Sequence, residues 1–190
     1  MKPTKFLIIG RTASGKSSIA KTVCEKLGLN QVISYTTRPR RPKEKDCVDH
    51  IFITEEDVEK YKDDIAAYTE INGCKYFTTY DVLDKSDVYV IDPIGVDNLK
   101  LKCGDQYRFI EIYIRVPKTI AFDRAKQRGD KVRDFKARTE SEEQQFREYE
   151  HRCNFHYHLR NDRPFDESVE KVCTWIKNEL QKGSNDESSN

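Results

Sequence analysis

The segment Gly10-Arg11-Thr12-Ala13-Ser14-Gly15-Lys16-Ser17 fits the phosphate-loop pattern G-x-x-x-x-G-K-S/T at every fixed position. The chemistry available to such a segment is anion binding. Backbone N–H groups of the loop and of the helix behind it converge on one hollow, and the helix dipole favours negative charge there. Lys16 neutralises β- and γ-phosphate oxygens, and the Ser17 hydroxyl is a ligand for Mg²⁺. Gly10, Thr12, Ala13, Ser14, Gly15, Lys16, Ser17 and Ser18 are therefore the candidate cradle for the phosphates of a nucleoside triphosphate such as ATP.

A second cluster follows. Ser34-Tyr35-Thr36-Thr37-Arg38-Pro39-Arg40-Arg41-Pro42-Lys43-Glu44 brings three arginines and several hydroxyls to the end of a short predicted strand. Arginine forks bind phosphate through two hydrogen bonds, and the prolines stiffen the loop so that less order is lost on binding. Alone, such a stretch reads as a solvated basic loop. On a chain that also carries a phosphate loop, at the edge where parallel sheets bind ligands, it reads as a second phosphate site. No Ser-His-Asp set or zinc spacing competes. The four histidines (His50, His151, His156 and His158) read as structural or surface residues. The six cysteines contain no C-x-x-C pair and read as free thiols.

The elements that must position these clusters alternate between strand and helix, the pattern of a parallel α/β sheet. Predicted strands are 6–9, 31–34, 87–92, 109–114 and 157–159. Predicted helices are 17–27, 118–127, 136–151 and 165–180. The last carries Val169, Val172, Cys173, Ile176 and Leu180 on one stripe. Between residues 35 and 79 the rhythm breaks into short β-like pieces around a helical stretch at 55–62, which reads as a small lobe inserted over the sheet mouth. The fold class expected is α/β: a phosphate-loop parallel sheet with helices on both faces, a β-rich inserted lobe and a helical lid. The expected organisation is one domain over 1–181, with core 1–34 and 80–181, lobe 35–79, lid about 124–140 and a disordered polar tail at 182–190.

Whole-chain totals narrow the classes further. The 190 residues include 36% hydrophobic and 35% charged residues at a net charge of +1. No apolar run approaches the ~20 residues that span a bilayer. The balanced charge gives no general attraction for nucleic acid. The first strand begins almost at once, which reads as a chain without a signal peptide and places the expectation in the cytoplasm.

The residues S-x-T-T-R-x-x-R-x-x-E, followed by Asp49 and Phe52, resemble the monophosphate-binding signature of guanylate kinases. The resemblance continues in order through Gly73-Cys74-Lys75-Tyr76-Phe77-Thr78, Val90-Ile91-Asp92-Pro93-Ile94-Gly95-Val96, Arg124, Arg128-Gly129, Arg138 and Asn161-Asp162. It implies a kinase that uses ATP and Mg²⁺ to phosphorylate a nucleoside monophosphate, GMP or dGMP first. By the same resemblance Arg38, Arg41 and Tyr76 hold the acceptor phosphate, with Glu44 part of that signature. Ser34, Thr78 and Asp92 face the base. Lys16, Arg38, Arg124, Arg128 and Arg138 form the catalytic set, the last three closing over the γ-phosphoryl. Asn161 lies on the adenine side. Asp92 reads in a second way as the carboxylate that orders the Mg²⁺ water shell, and in a third as a simple cap of the next turn.

Departures from the family pattern cluster where the base is read. The guanine-reading glutamate falls on Ala67, and Glu70 is three residues on, hence on the opposite face of a regular strand. The usual tyrosine is His50, the first carboxylate of D-x-D is Val90, the glutamine is Ile94 and the glycine after Tyr76 is Phe77. Two alternatives therefore stand beside GMP phosphorylation. One is the same fold and chemistry with another nucleotide or a sugar phosphate as acceptor. The other is a non-catalytic guanylate-kinase-like module that grips a peptide, although such modules typically lose the phosphate loop that stands intact here.

Overall fold

The computed structural model describes residues 2–41, 44–152 and 155–187, the last four of these by backbone alone. Pro42 and Lys43 of the Arg/Pro cluster, Cys153 and tail residues 188–190 lie outside it. In chain order the elements are β1 (Thr4–Gly10), α1 (Lys16–Leu27), β2 (Tyr35–Thr36), β3 (Ile51–Phe52), a 3₁₀ stretch (Glu56–Asp64), β4 (Ile65–Ile71), β5 (Cys74–Thr79), α2 (Tyr80–Asp84), β6 (Val88–Val90), α3 (Pro93–Cys103), β7 (Arg108–Arg115), α4 (Lys118–Arg128), α5 (Val132–Arg152), β8 (Tyr157–Arg160) and α6 (Phe165–Glu187).

Two sheets result. The core sheet is all parallel in the order β6-β1-β7-β8, and the second is mixed in the order β3-β2-β5-β4. Strand β1 shows why helices cover both faces of the core sheet. Its side chains alternate, so Phe6 and Ile8 join Ile19, Val23, Val172 and Ile176 on the α1/α6 side. Leu7 and Ile9 join Leu83, Val96, Leu99, Phe146 and Tyr149 on the α2/α3/α5 side. Each such buried side chain contributes about 1.5–3 kcal/mol relative to exposure. The expected stripe on α6 is buried as read, except that Leu180 is exposed.

Three expectations are corrected. Residues 31–34 do not form a core strand. Gln31 makes one parallel bridge to Val88, and the chain then leaves the sheet edge to enter β2 of the lobe. Two helices were missed: α2, whose Thr79 cap accepts from the Val82 N–H, and α3, which Asp92 caps and Pro93 starts. The polar tail does not lose structure at residue 182, because α6 continues to Glu187. Five cysteines among the described residues are unpaired, as expected. Among the described residues no helix is long and apolar enough to cross a membrane.

Candidate functional site

The phosphate loop leaves β1 at Gly10 and enters α1 through Gly15. A Cβ on Gly10 would stand 2.5 Å from the Ile114 backbone oxygen, so the neighbouring strand demands glycine there. Gly15 has φ +90°, and a Cβ on it would stand 2.5 Å from Asn161 Nδ2. Asn161 Nδ2 donates to the Ser14 carbonyl at 2.7 Å. Arg124 braces the same corner, with Nη1 donating to the Ser14 carbonyl at 3.3 Å and Nη2 to the Asn161 carbonyl at 3.0 Å. Gly15 offers no side chain to cap α1. The first-turn N–H groups therefore remain available to an anion, the arrangement that suits phosphate. Ser17 and Ser18 are exposed at that turn, and Lys16 Nζ donates to the Arg11 carbonyl at 3.2 Å.

The basic loop of the lobe is tied to β5 by the two threonines that precede its first arginine. Thr36 Oγ1 donates to the Lys75 carbonyl at 2.9 Å and accepts from the Arg38 N–H at 3.1 Å. Thr37 Oγ1 accepts from the Lys75 N–H at 3.0 Å. Arg38 Nη2 then reaches both oxygens of Glu44, at 2.8 and 2.9 Å. Glu44 also accepts from the Arg41 N–H at 2.8 Å and pairs with the Arg41 side chain at 3.5 Å. Burial pushes the Glu44 carboxyl up, but these bonds outweigh it and hold the group below its ordinary value.

Beside this loop, Ser34 Oγ lies 3.0 Å from His50 Nδ1. Burial, helped by the Arg38 charge, pushes the His50 imidazole below its ordinary value, which favours the neutral ring. His50 meets Tyr76 edge to face with centroids 5.9 Å apart. Thr78 is fully buried, and its hydroxyl has no hydrogen-bond partner among the described residues. Asp92 Oδ1 accepts from the Ile94 and Gly95 N–H groups at 3.0 and 3.1 Å, and from Gln145 Nε2 at 3.1 Å. Burial nevertheless raises its carboxyl above the ordinary value.

Helices α4 and α5 complete the surround. Arg128 is held by Asp130, with Nε to Oδ1 at 3.0 Å, and Arg138 Nε by Glu142 Oε1 at 3.1 Å. Desolvation lowers Lys16 to about 8; Glu142 and Asp92 oppose the shift, while Arg138 and Arg128 add to it. Arg41 is lowered by burial and by the charges of Arg38, Arg138 and Arg128. Arg128 and Arg138 thus act both on the phosphate-loop lysine and on Arg41, which in turn feels Arg38. Cations crowd a partly desolvated space at a cost, and that cost is offset when an anion binds among them.

A family model for guanylate kinase matches residues 2–179. The chain belongs to the guanylate kinase family. It is 39% identical over 75 residues to a guanylate kinase of Fusobacterium nucleatum, covering 38% of this chain and 40% of that one. It is 34% identical over 127 residues to a guanylate kinase of Thermotoga maritima, covering 62% and 59% respectively. The chain spans about half the length of the curated relatives it matches. The fold resembles a crystal structure of guanylate kinase from Anaplasma phagocytophilum, with TM-score 0.64 at 18% identity over 96% of this chain and 86% of that one.

Most of the residues expected from the guanylate kinase pattern come together, and a few lie elsewhere. The Arg124 guanidinium lies at the loop, committed to the backbone carbonyls of Ser14 and Asn161. Glu44 acts on Arg38 and Arg41. Asp92 caps α3, and its charge still reaches Lys16. Phe77 does not crowd the acceptor side. It stacks on Tyr35 at 5.0 Å and packs on Tyr61 at 5.8 Å, while its neighbours Tyr76 and Thr78 take the other sheet face. Ala67 lies opposite Thr78 and Thr69 opposite Tyr76, so these four share that face. Glu70 pairs with Lys75 in register and is exposed on the Phe77 side, out of reach of the site. His50, read as structural or surface, stands beside Ser34 and Tyr76, in the position where the family pattern has a tyrosine. Gln145 and Glu142 were missed because α5 reads as a polar helix throughout.

Proposed function

We propose that this chain transfers the γ-phosphoryl group of ATP, with Mg²⁺, to a nucleoside monophosphate, GMP or dGMP first, releasing ADP and the diphosphate. The observation that carries the reading is the glycine-framed, uncapped start of α1 beside Lys16, with Arg128 and Arg138 acting both on Lys16 and on Arg41 of the second basic cluster. A triphosphate-binding half and a monophosphate-binding half brought together in this way suit transfer between two phosphates better than they suit a single bound nucleotide.

The chemistry asks little of acid–base groups. An acceptor phosphate oxygen is already anionic, so it attacks the γ-phosphorus as the bond from that phosphorus to the β-bridging oxygen breaks. Positioning and charge neutralisation then carry the catalysis. Arg38 and Arg41 hold the acceptor phosphate with Tyr76 beside them, and Glu44 holds the arginines. Lys16, Arg128 and Arg138 meet the charge that accumulates on the transferring group. The uncapped start of α1 holds the triphosphate through the amides of Gly15 to Ser18, which fits the phosphate reading of this turn. The Ser17 hydroxyl, with Asp92 through water, would hold Mg²⁺, which supplies charge neutralisation on the phosphate oxygens. Asn161 and Arg124 set the loop and border the adenine side. Ser34, Thr78 and Asp92 face the acceptor base. A cytoplasmic kinase that takes small nucleotides and needs no nucleic acid or membrane partner is the corresponding cellular reading.

Another acceptor is the second reading: Ala67, on the β4 face shared with Tyr76 and Thr78, stands where the family pattern has a glutamate, and Glu70 lies on the opposite face. The peptide-gripping module is not favoured, since Lys16 and the loop are intact. A coupled assay of ADP production with Mg-ATP, offering GMP, dGMP, AMP, CMP, UMP and dTMP separately, tests the reading. Turnover with GMP or dGMP supports it. Turnover with another nucleotide alone re-specifies the acceptor, and silence with all six removes the nucleotide reading.

A further inference from the structure

Glu142 stands on the buried stripe of α5 with Phe146 and Tyr149, four and seven residues on, where an apolar residue would be expected. It is only 7% exposed. A buried carboxylate is costly unless strong donors surround it. Here Oε2 accepts from the Thr12 N–H of the phosphate loop at 2.8 Å, and Oε1 from the Thr12 hydroxyl at 2.8 Å. Arg138 Nε donates to the same Oε1 at 3.1 Å. Lys16 feels this carboxylate more strongly than any other neighbouring charge. A lid-helix anion thus shares the lysine, the arginine and one loop amide with which phosphate oxygens are to be bound.

We propose that Glu142 is an internal competitor of the triphosphate, an anion supplied by the chain that sets how tightly the loop holds ATP. The inference rests on the reading of the loop as a triphosphate site. Two anions that draw on Lys16 and Arg138 repel one another, so the triphosphate binds against Glu142 and draws Arg138 away from it. Release of Glu142 from Thr12 then removes one of the ties between α5 and the loop, which couples arrival of the triphosphate to the position of Arg138. Arg11 reinforces the starting arrangement by gripping α5 at Glu143 and Glu150, at 2.8 and 3.2 Å.

The test is calorimetric binding of Mg-ATP, and separately of tripolyphosphate, to the full chain without any acceptor. Wild type is compared with Glu142→Gln, which keeps shape and removes charge, and with Glu142→Ala. The expected result is an affinity about fivefold to tenfold tighter in both variants, from loss of a charge-assisted contact that the ligand must displace. Their melting temperatures are expected to fall, since Thr12 and Arg138 lose a partner. A residue that only supports the fold would weaken binding and stability together, so opposite signs mark competition. If one variant fails to fold, the other decides. Unchanged or weaker binding in the folded variants overturns the inference alone. No binding by the wild type to either probe overturns the triphosphate reading, and the inference with it.

Discussion

Glu44 reaches Arg38 with both carboxylate oxygens, at 2.8 and 2.9 Å from one guanidinium nitrogen, while accepting from the backbone N–H of Arg41. One acidic side chain therefore sets two arginines that would otherwise repel each other. Glu44→Gln should raise the acceptor KM about tenfold or more, in line with the ~1.5–3 kcal/mol of a hydrogen bond to a charged group, while the KM for ATP stays within about twofold. Steady-state kinetics with each substrate varied in turn measure this. An equal loss for ATP would mean that the lobe arginines do not serve a separate acceptor site.

The Lys16 ammonium is lowered to about 8, by desolvation first and then by Arg138 and Arg128 against Glu142 and Asp92. Its charge is complete well below that pH and is lost as pH rises through it. Affinity for Mg-ATP should accordingly fall between pH 7 and 9. In Lys16→Met binding should be weak and nearly flat over the same range, with turnover abolished. Calorimetry at several pH values checks both, and a wild-type affinity independent of pH would refute the assignment.

Thr78 is fully buried and its hydroxyl bonds to no described residue. Replacing it with valine removes no internal hydrogen bond, so Thr78→Val should leave the melting temperature unchanged or raise it. If the hydroxyl is kept for the acceptor base, the acceptor kcat/KM should fall about fivefold to a hundredfold, the range of one buried hydrogen bond. Thermal melts and acceptor kinetics on the same preparation separate stability from recognition.

Gly15→Ala places a methyl 2.5 Å from Asn161 Nδ2 on a backbone at φ +90°. Both effects act together, and a loss of roughly 1–3 kcal/mol is expected from the backbone conformation alone. Denaturant melts should show it. ATP binding should be lost beyond what unfolding explains, because Asn161 can yield only by releasing the Ser14 carbonyl.

The elements that carry strong local signals were readable from the chain. Strand β1, the loop, α1, β7 and α4 follow from a motif and from two hydrophobic periods, and α5 from a long polar stretch without breakers. Helix α3 was also signalled, by Asp92 before Pro93, a cap followed by a proline in the first turn, and by Val96, Leu99 and Cys103, the three-and-four-spaced stripe that it buries. The lobe was legible as a break in rhythm, whereas its register was not. A bulge between Ile65 and Ala67 decides which of Ala67, Thr69 and Glu70 faces the site. The arginines were legible through the resemblance. Their carboxylate partners were not equally so: Glu44 and Asp130 lie close to them in sequence, but Glu142 meets Thr12 across 130 positions. Depth of that kind is a property of packed elements and has no local signature.

The two fixed glycines of the loop answer to different masters. Gly10 is held to its type by the Ile114 backbone of the adjacent strand, a spacing that exists whether or not a nucleotide is ever bound. A descendant of this chain that abandoned catalysis but kept its sheet would still be selected to retain that glycine, while Lys16 would be free to drift. Across diverging lineages, then, persistence of Gly10 records ancestry of the scaffold, and the identity of residue 16 is the better witness to whether the chemistry survived.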